Sequence, residues 1–167
     1  MPLRGRTTFV MVVTLAGTAC SSATAPSAPR ATVTVQRDTI VASRIVGGSV
    51  TWIRFTVPAA IHNAGPVSLT YPFCAAFIEA PARGVWDVVW SPICALGSST
   101  DLEIAPGETR QVAVEVSAAV AGPGGPTWGS AAVDGTYRLA VRLVAAGLTG
   151  RIPQVPSNPF TLVDGSR

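Results

Sequence analysis

The chain contains no lysine, and histidine occurs once, as His62. Its twelve basic residues are all arginine, set against nine aspartates and glutamates. Charged residues make up 13% of the chain, about half the ~25% of an ordinary domain. The arginines are scattered singly, whereas binding a phosphate backbone takes a clustered basic face; no nucleic-acid partner is expected. With the cysteines otherwise committed, one histidine leaves no zinc site. There is no Asp-x-Asp-x-Asp-Gly calcium loop, no Gly-x-Ser-x-Gly elbow and no lysine-bearing phosphate loop. No metal and no cofactor is therefore expected. Asp101 and Glu103, with Glu108 close by, read as a solvated strand face. His62, beside a turn signal, reads as an ordinary strand-end residue. No apolar run approaches the ~20 residues of a spanning helix, and no capped amphipathic helix is apparent. The nearest candidate, residues 118–121, runs directly into Gly122-Pro123-Gly124-Gly125-Pro126, which stops it.

What is present begins at the amino terminus. Residues 1–6 carry Arg4 and Arg6 and no acid, residues 7–15 are apolar apart from three threonines, and small residues lead to Cys20. This is the basic, apolar, small-residue order of a secretory signal. The stretch Leu15-Ala16-Gly17-Thr18-Ala19-Cys20 resembles the lipobox of bacterial lipoproteins, with Gly17 where leucine is usual. The resemblance implies removal of residues 1–19, diacylation of the Cys20 thiol and anchoring of the mature chain to a lipid bilayer. An ordinary secretory cut after Ala19 fits the same residues. Losing Arg4 and Arg6 lowers the formal charge from +3 to about +1. Residues 20–30 then form the lipidated cysteine and a Ser/Ala/Pro-rich flexible linker, whose ten residues after Cys20 reach about 30 Å when extended. Ser21 stands where aspartate resembles an inner-membrane retention signal. An exported protein of the outer membrane, periplasmic side or cell surface is the expectation.

Residues 31–167 read as one domain. Short β-type runs occur at 32–39, 49–57, 67–71, 74–80, 85–90, 101–104, 109–117, 136–145 and 159–163. Between them lie turn signals, among them Gly47-Gly48, Asn63-Ala64-Gly65, Pro81-Ala82-Arg83-Gly84, Pro106-Gly107 and Asp134-Gly135. Such spacing indicates an all-β sandwich or barrel. Three stretches are similar to bacterial immunoglobulin-like domains of exported proteins, and more loosely to the BsuPI-type proteinase inhibitor domain. They are Asn63-Ala64-Gly65 with the following Pro66-Val67-Ser68-Leu69, Ile104-Ala105-Pro106-Gly107-Glu108-Thr109, and Gly135-Thr136-Tyr137-Arg138-Leu139. The last resembles a tyrosine corner. The resemblance implies an immunoglobulin-like antiparallel β-sandwich of about seven to nine strands.

Cys74 and Cys94 remain as an even pair in an exported chain, and such pairs oxidise. Antiparallel pairing about the turn at 81–84 would bring them within disulfide reach. A reactive or metal-binding pair is the weaker reading. Trp86 and Trp90 share strand parity and are expected on one face, as packing or as an aromatic platform. Residues 118–134 form a long Gly/Pro-rich loop around Trp128, which either folds back onto the sandwich or serves as an exposed contact anchor. The loop at 147–158, with Pro153 and Pro156, is expected to cover a sheet edge. Together these features point to a non-enzymatic envelope lipoprotein acting as a binding or structural module for an envelope protein or polymer. A proteinase inhibitor-like domain and, less well supported, a sugar-acting or other hydrolase built on His62 are the alternatives.

Overall fold

A computed structural model describes residues 30–72, 74–94, 101–121, 125–130, 132–145 and 154–166. Eleven strands follow one another: β1 (Ala31–Val35), β2 (Thr39–Gly47), β3 (Val50–Asn63), β4 (Leu69–Tyr71), β5 (Ala76–Ala82), β6 (Val85–Trp90), β7 (Leu102–Ile104), β8 (Thr109–Ala121), β9 (Gly135–Val141), β10 (Val144–Ala145) and β11 (Val155–Asp164). No helix occurs among the described residues.

Alternation builds these strands. In β3, Ile53, Phe55, Val57, Ala59 and Ile61 are buried while Arg54 and Thr56 between them are exposed. Burying each larger apolar side chain contributes about 1.5–3 kcal/mol. The eight-stranded sheet has the order β8-β3-(β1 and β2)-β11-β9-β5-β6, and β10-β4-β7 form a small second sheet. β1 and β2 share one lane, β1 against residues 59–63 of β3 and β2 against residues 50–54. Both also pair in parallel with β11. That shared lane joins the β8-β3 layer to the β11-β9-β5-β6 layer, which is the strand order of an immunoglobulin-like sandwich.

The all-β sandwich expected from the sequence stands, with eleven strands in place of seven to nine and two parallel pairings in place of none. The lane break explains part of the difference. What reads as one run at 32–39 ends at Val35, and a second strand starts at Thr39. Pro58 sits opposite this break. Its carbonyl accepts the Gln36 N–H at 2.9 Å, so its ring nitrogen also faces the lane where no partner strand exists. No ladder bond is lost there, and a proline fits inside a central strand.

Two further expectations are corrected. Residues 118–121 continue β8, because Ala118 follows Val114 and Val116 into the core with the strand's period, while Ala119 on the other parity is covered by the segment at 126–128. Residues 155–158 belong to β11, an interior strand, and not to a loop over an edge. Residues 146–153 lie outside the described residues. The register of β11 slips between Pro156 and Pro159, and side chains fill the missing ladder bonds. Ser157 Oγ accepts the Leu139 N–H at 3.0 Å, and the Asn158 amide both accepts from and donates to Val35.

Candidate functional site

Cys20 falls in residues 1–29, outside the described residues. Cys74 and Cys94 are bonded, with Cα atoms 6.0 Å apart. They flank the β5–β6 hairpin, whose two-residue turn Arg83-Gly84 has positive φ at both positions, 50° and 83°. Those are the backbone angles of a type I′ hairpin turn.

Trp128 is not a surface anchor. It is 6% exposed, its Nε1 donates to Ala132 O at 3.2 Å, and its ring bridges the layers. Phe55 of β3 meets it edge-on at 5.8 Å, and Tyr137 of β9 lies at 5.2 Å with Phe160 of β11 behind. Backbone bonds from Ala119 N to Pro126 O and from Trp128 N to Ala119 O, both 2.8 Å, draw this segment onto β8. The Tyr137 hydroxyl donates to Ala132 O at 2.9 Å, completing the tyrosine-corner likeness.

Trp86 and Trp90 do not share a face. Trp90 pairs with Ile78 and Trp86 with Pro81, and the register slips between Ile78 and Glu79. Val89 is the extra residue, and it inverts the alternation of the strand. Trp90 is therefore buried and donates to Ser117 O at 3.2 Å. Trp86 lies on the outer face, under the Arg138 guanidinium at 4.5 Å. Arg138 Nε in turn donates to buried Glu79 at 2.7 Å.

Three ion pairs, Arg44–Asp164, Arg110–Glu108 and Arg138–Glu79, hold six of the described titratable groups. His62 Nδ1 lies 3.1 Å from Thr109 Oγ1. Glu108 accepts the Ala105 N–H at 2.8 Å and pairs with Arg110, while Asp101 and Glu103 are exposed. Asp164 accepts from Arg44 Nε at 2.6 Å and from Ser166. Those hydrogen bonds, Arg44's first, hold its carboxyl well below the usual carboxylate range. A polar cavity of about 410 Å³ adjoins this cluster; on its wall Arg44 pairs with Asp164, and Asp134 Oδ1 accepts the Asp164 N–H. No group of three or more potential metal ligands occurs among the described residues.

The feature best suited to recognition is the edge of β8 away from β3, which no strand among the described residues covers. Pro58 and Ala113 are opposite each other. The main-chain groups of Pro58 point toward β1, so theirs is a non-hydrogen-bonded pair and the Ala113 N–H and C=O point away from β3. Gln111, Glu115, Ser117 and Ala119 share that parity. Ser117 is used by Trp90, and Ala119 by the segment at 126–128. The edge-facing main-chain groups of Gln111, Ala113 and Glu115 have no partner among the described residues, and all three residues are exposed.

Beside them opens a cavity of about 330 Å³, walled by Tyr71, Ala76, Trp90 and Pro92 on one side and by Ala113, Val114 and Glu115 on the other. The Cys74–Cys94 bond ties together the chain just before Ala76 and just after Pro92. Burial raises the pKa of the Tyr71 phenol above its usual value, and its hydroxyl has no hydrogen-bond partner among the described residues. This site is not readable from local sequence, because it depends on which strand lies at the sheet's end. The opposite edge, β6, is short and bulged, a form that resists pairing.

No protein-family model matches the chain, and no curated protein matches it. Among solved structures, a Northeast Structural Genomics Consortium target is similar at 14% identity, over 83% of this chain and 89% of its own, with a TM-score of 0.45. The putative ApaA protein from Bordetella pertussis is similar at 17% identity, over 84% and 98%, with a TM-score of 0.42. A β-glucosidase from Erythrobacter marinus is similar at 14% identity over 83% of this chain but 15% of the enzyme, with a TM-score of 0.29. Likeness at these scores carries no argument about function.

Proposed function

We propose that the chain is an exported, lipid-anchored protein of the cell envelope whose domain is a non-catalytic binding or structural module. The observation that carries this reading is the Cys74–Cys94 bond. Such bonds form and persist in oxidising compartments, and the remaining cysteine, Cys20, stands directly behind a signal-type segment. Two or three acyl chains, at about 0.8 kcal/mol per buried CH₂, anchor a protein stably where one chain does not. The non-catalytic part is supported by the company His62 keeps, a threonine hydroxyl with no carboxylate among the described residues to orient it. General acid–base work needs a group with such a partner.

Labelling cells with an alkynyl fatty acid tests the anchor. The wild-type chain should take up the label and the Cys20→Ser variant should not. An unlabelled wild type, or an equally labelled variant, would refute lipid attachment at Cys20.

A further inference from the structure

We propose that the free edge of β8 captures an extended peptide segment of another protein, adding it to the sheet as a strand. The segment's inward side chain is apolar and enters the Trp90 cavity, and a basic residue near it faces Glu115. This goes beyond the anchor and rests on reading the domain as a binding module.

Three observations converge on that partner. The open main-chain groups of Gln111, Ala113 and Glu115 repeat every second residue, which is the spacing at which an added strand forms its ladder. The neighbouring cavity of about 330 Å³ is at the small end for ligand sites of about 300–1,000 Å³, so it suits one side chain better than a whole small molecule. The Tyr71 hydroxyl at its wall has no partner among the described residues and can bond a peptide group. The charge argument selects within that class. Glu115 is the one charged residue among the described residues lining the cavity, and opposite charges on adjacent strands attract.

A second copy of this chain is a poorer occupant. Its own β8 would present Val114 and Val116, which are 7% and 2% exposed and already fill its core. Nothing would remain to enter the cavity. A segment that is extended and unfolded before binding has its inward side chains free.

The test uses the mature chain isolated from its host and eight-residue capped peptides of alternating threonine and leucine. One carries an arginine, a second a glutamate at that position, and a third is the arginine peptide with methylated main-chain nitrogens. Site-resolved amide exchange is the readout. The arginine peptide should slow exchange at Ala113 and Glu115 by about tenfold or more, and the methylated peptide should not. Glu115→Arg should reverse the preference between arginine and glutamate peptides, by about fivefold. Ala113→Pro removes an N–H that β3 does not use, so it should abolish protection while the near-ultraviolet spectrum stays native.

If Ala113→Pro fails to fold, the charge swap at Glu115 decides. Equal binding of both peptides to wild type and Glu115→Arg overturns the proposal. So does protection confined to another face, which would leave a binding module with a different surface. Absence of binding by every peptide up to about 1 mM, the weak end of specific recognition, overturns it as well and leaves the lipid anchor standing.

Discussion

Changing Asn63 to aspartate should make the domain's stability fall as pH rises from 4 to 7. Asn63 is fully buried. Its Nδ2 donates to Val67 O at 2.8 Å and Ile104 O at 3.0 Å, and its Oδ1 accepts the Gly65 N–H at 3.0 Å. Its main chain accepts from Gly107 and donates to Glu108. One residue thus ties the turn after β3 to the end of β7 and to the turn before β8. Aspartate keeps the bond from Gly65. It sets a second acidic oxygen against two carbonyls, where the ionised form is repelled and desolvated. Protonated, it still donates one bond, so the loss at low pH is about 1 kcal/mol. The ionised form is so unfavourable that the folded-state pKa must rise above the ordinary ~3.9. If it rises to about 6, the shift is worth about 3 kcal/mol. The sign follows from linkage. Between the two pKa values the native state holds a proton that the unfolded chain has released, so stability declines with rising pH across that window. Urea unfolding of wild type and Asn63→Asp, at pH values from 4 to 7, should show a deficit growing from about 1 to about 4 kcal/mol. A deficit that is constant over that range would refute the assignment of Asn63 as the buried donor joining these turns.

Trp128→Ala should cost about 3–5 kcal/mol in urea unfolding, since it empties the space between Phe55 and Tyr137; a cost under about 0.5 kcal/mol would return Trp128 to the surface. Replacing Cys74 and Cys94 together by alanine should lower stability by about 3 kcal/mol for a separation of 20 residues, and an unchanged urea midpoint would show that the hairpin ends need no bond. Arg44 and Ser166 lower the pKa of Asp164, so its stabilisation is present above its unfolded value of about 3.9 and disappears as pH falls toward the lower folded value. Asp164→Asn should therefore unfold less steeply with acid below pH 4 than wild type; an identical acid limb would contradict the pairing.

Turn chemistry is the part of this fold that sequence reveals best, because it is local. Gly47-Gly48, Arg83-Gly84 and Pro106-Gly107 all sit at chain reversals, with Gly48, Arg83, Gly84 and Gly107 at positive φ. The disulfide follows from the same logic, since a hairpin between two cysteines leaves its ends adjacent. Trp86 and Trp90 show where local reading stops. The bulge at Val89 arises from pairing with β5, and no residue between the two tryptophans announces it. Trp128 is hidden for a related reason. Its glycine- and proline-rich flanks resemble an exposed loop, but backbone hydrogen bonds from residues 126–128 to Ala119 of β8 draw the segment back onto the sheet. The β8 edge depends on strand order across the whole sheet, and strand order is set by contacts distant in sequence.

Intact mass spectrometry of the mature chain, extracted from the envelope without reductant, bears most directly on export, lipid attachment and disulfide closure together. The expected species begins at Cys20, exceeds its polypeptide mass by a glycerol-linked pair of acyl chains with or without a third, and lacks two hydrogens for the Cys74–Cys94 bond. A species that still carries residues 1–19, or one that begins at Cys20 with no added lipid, would contradict it.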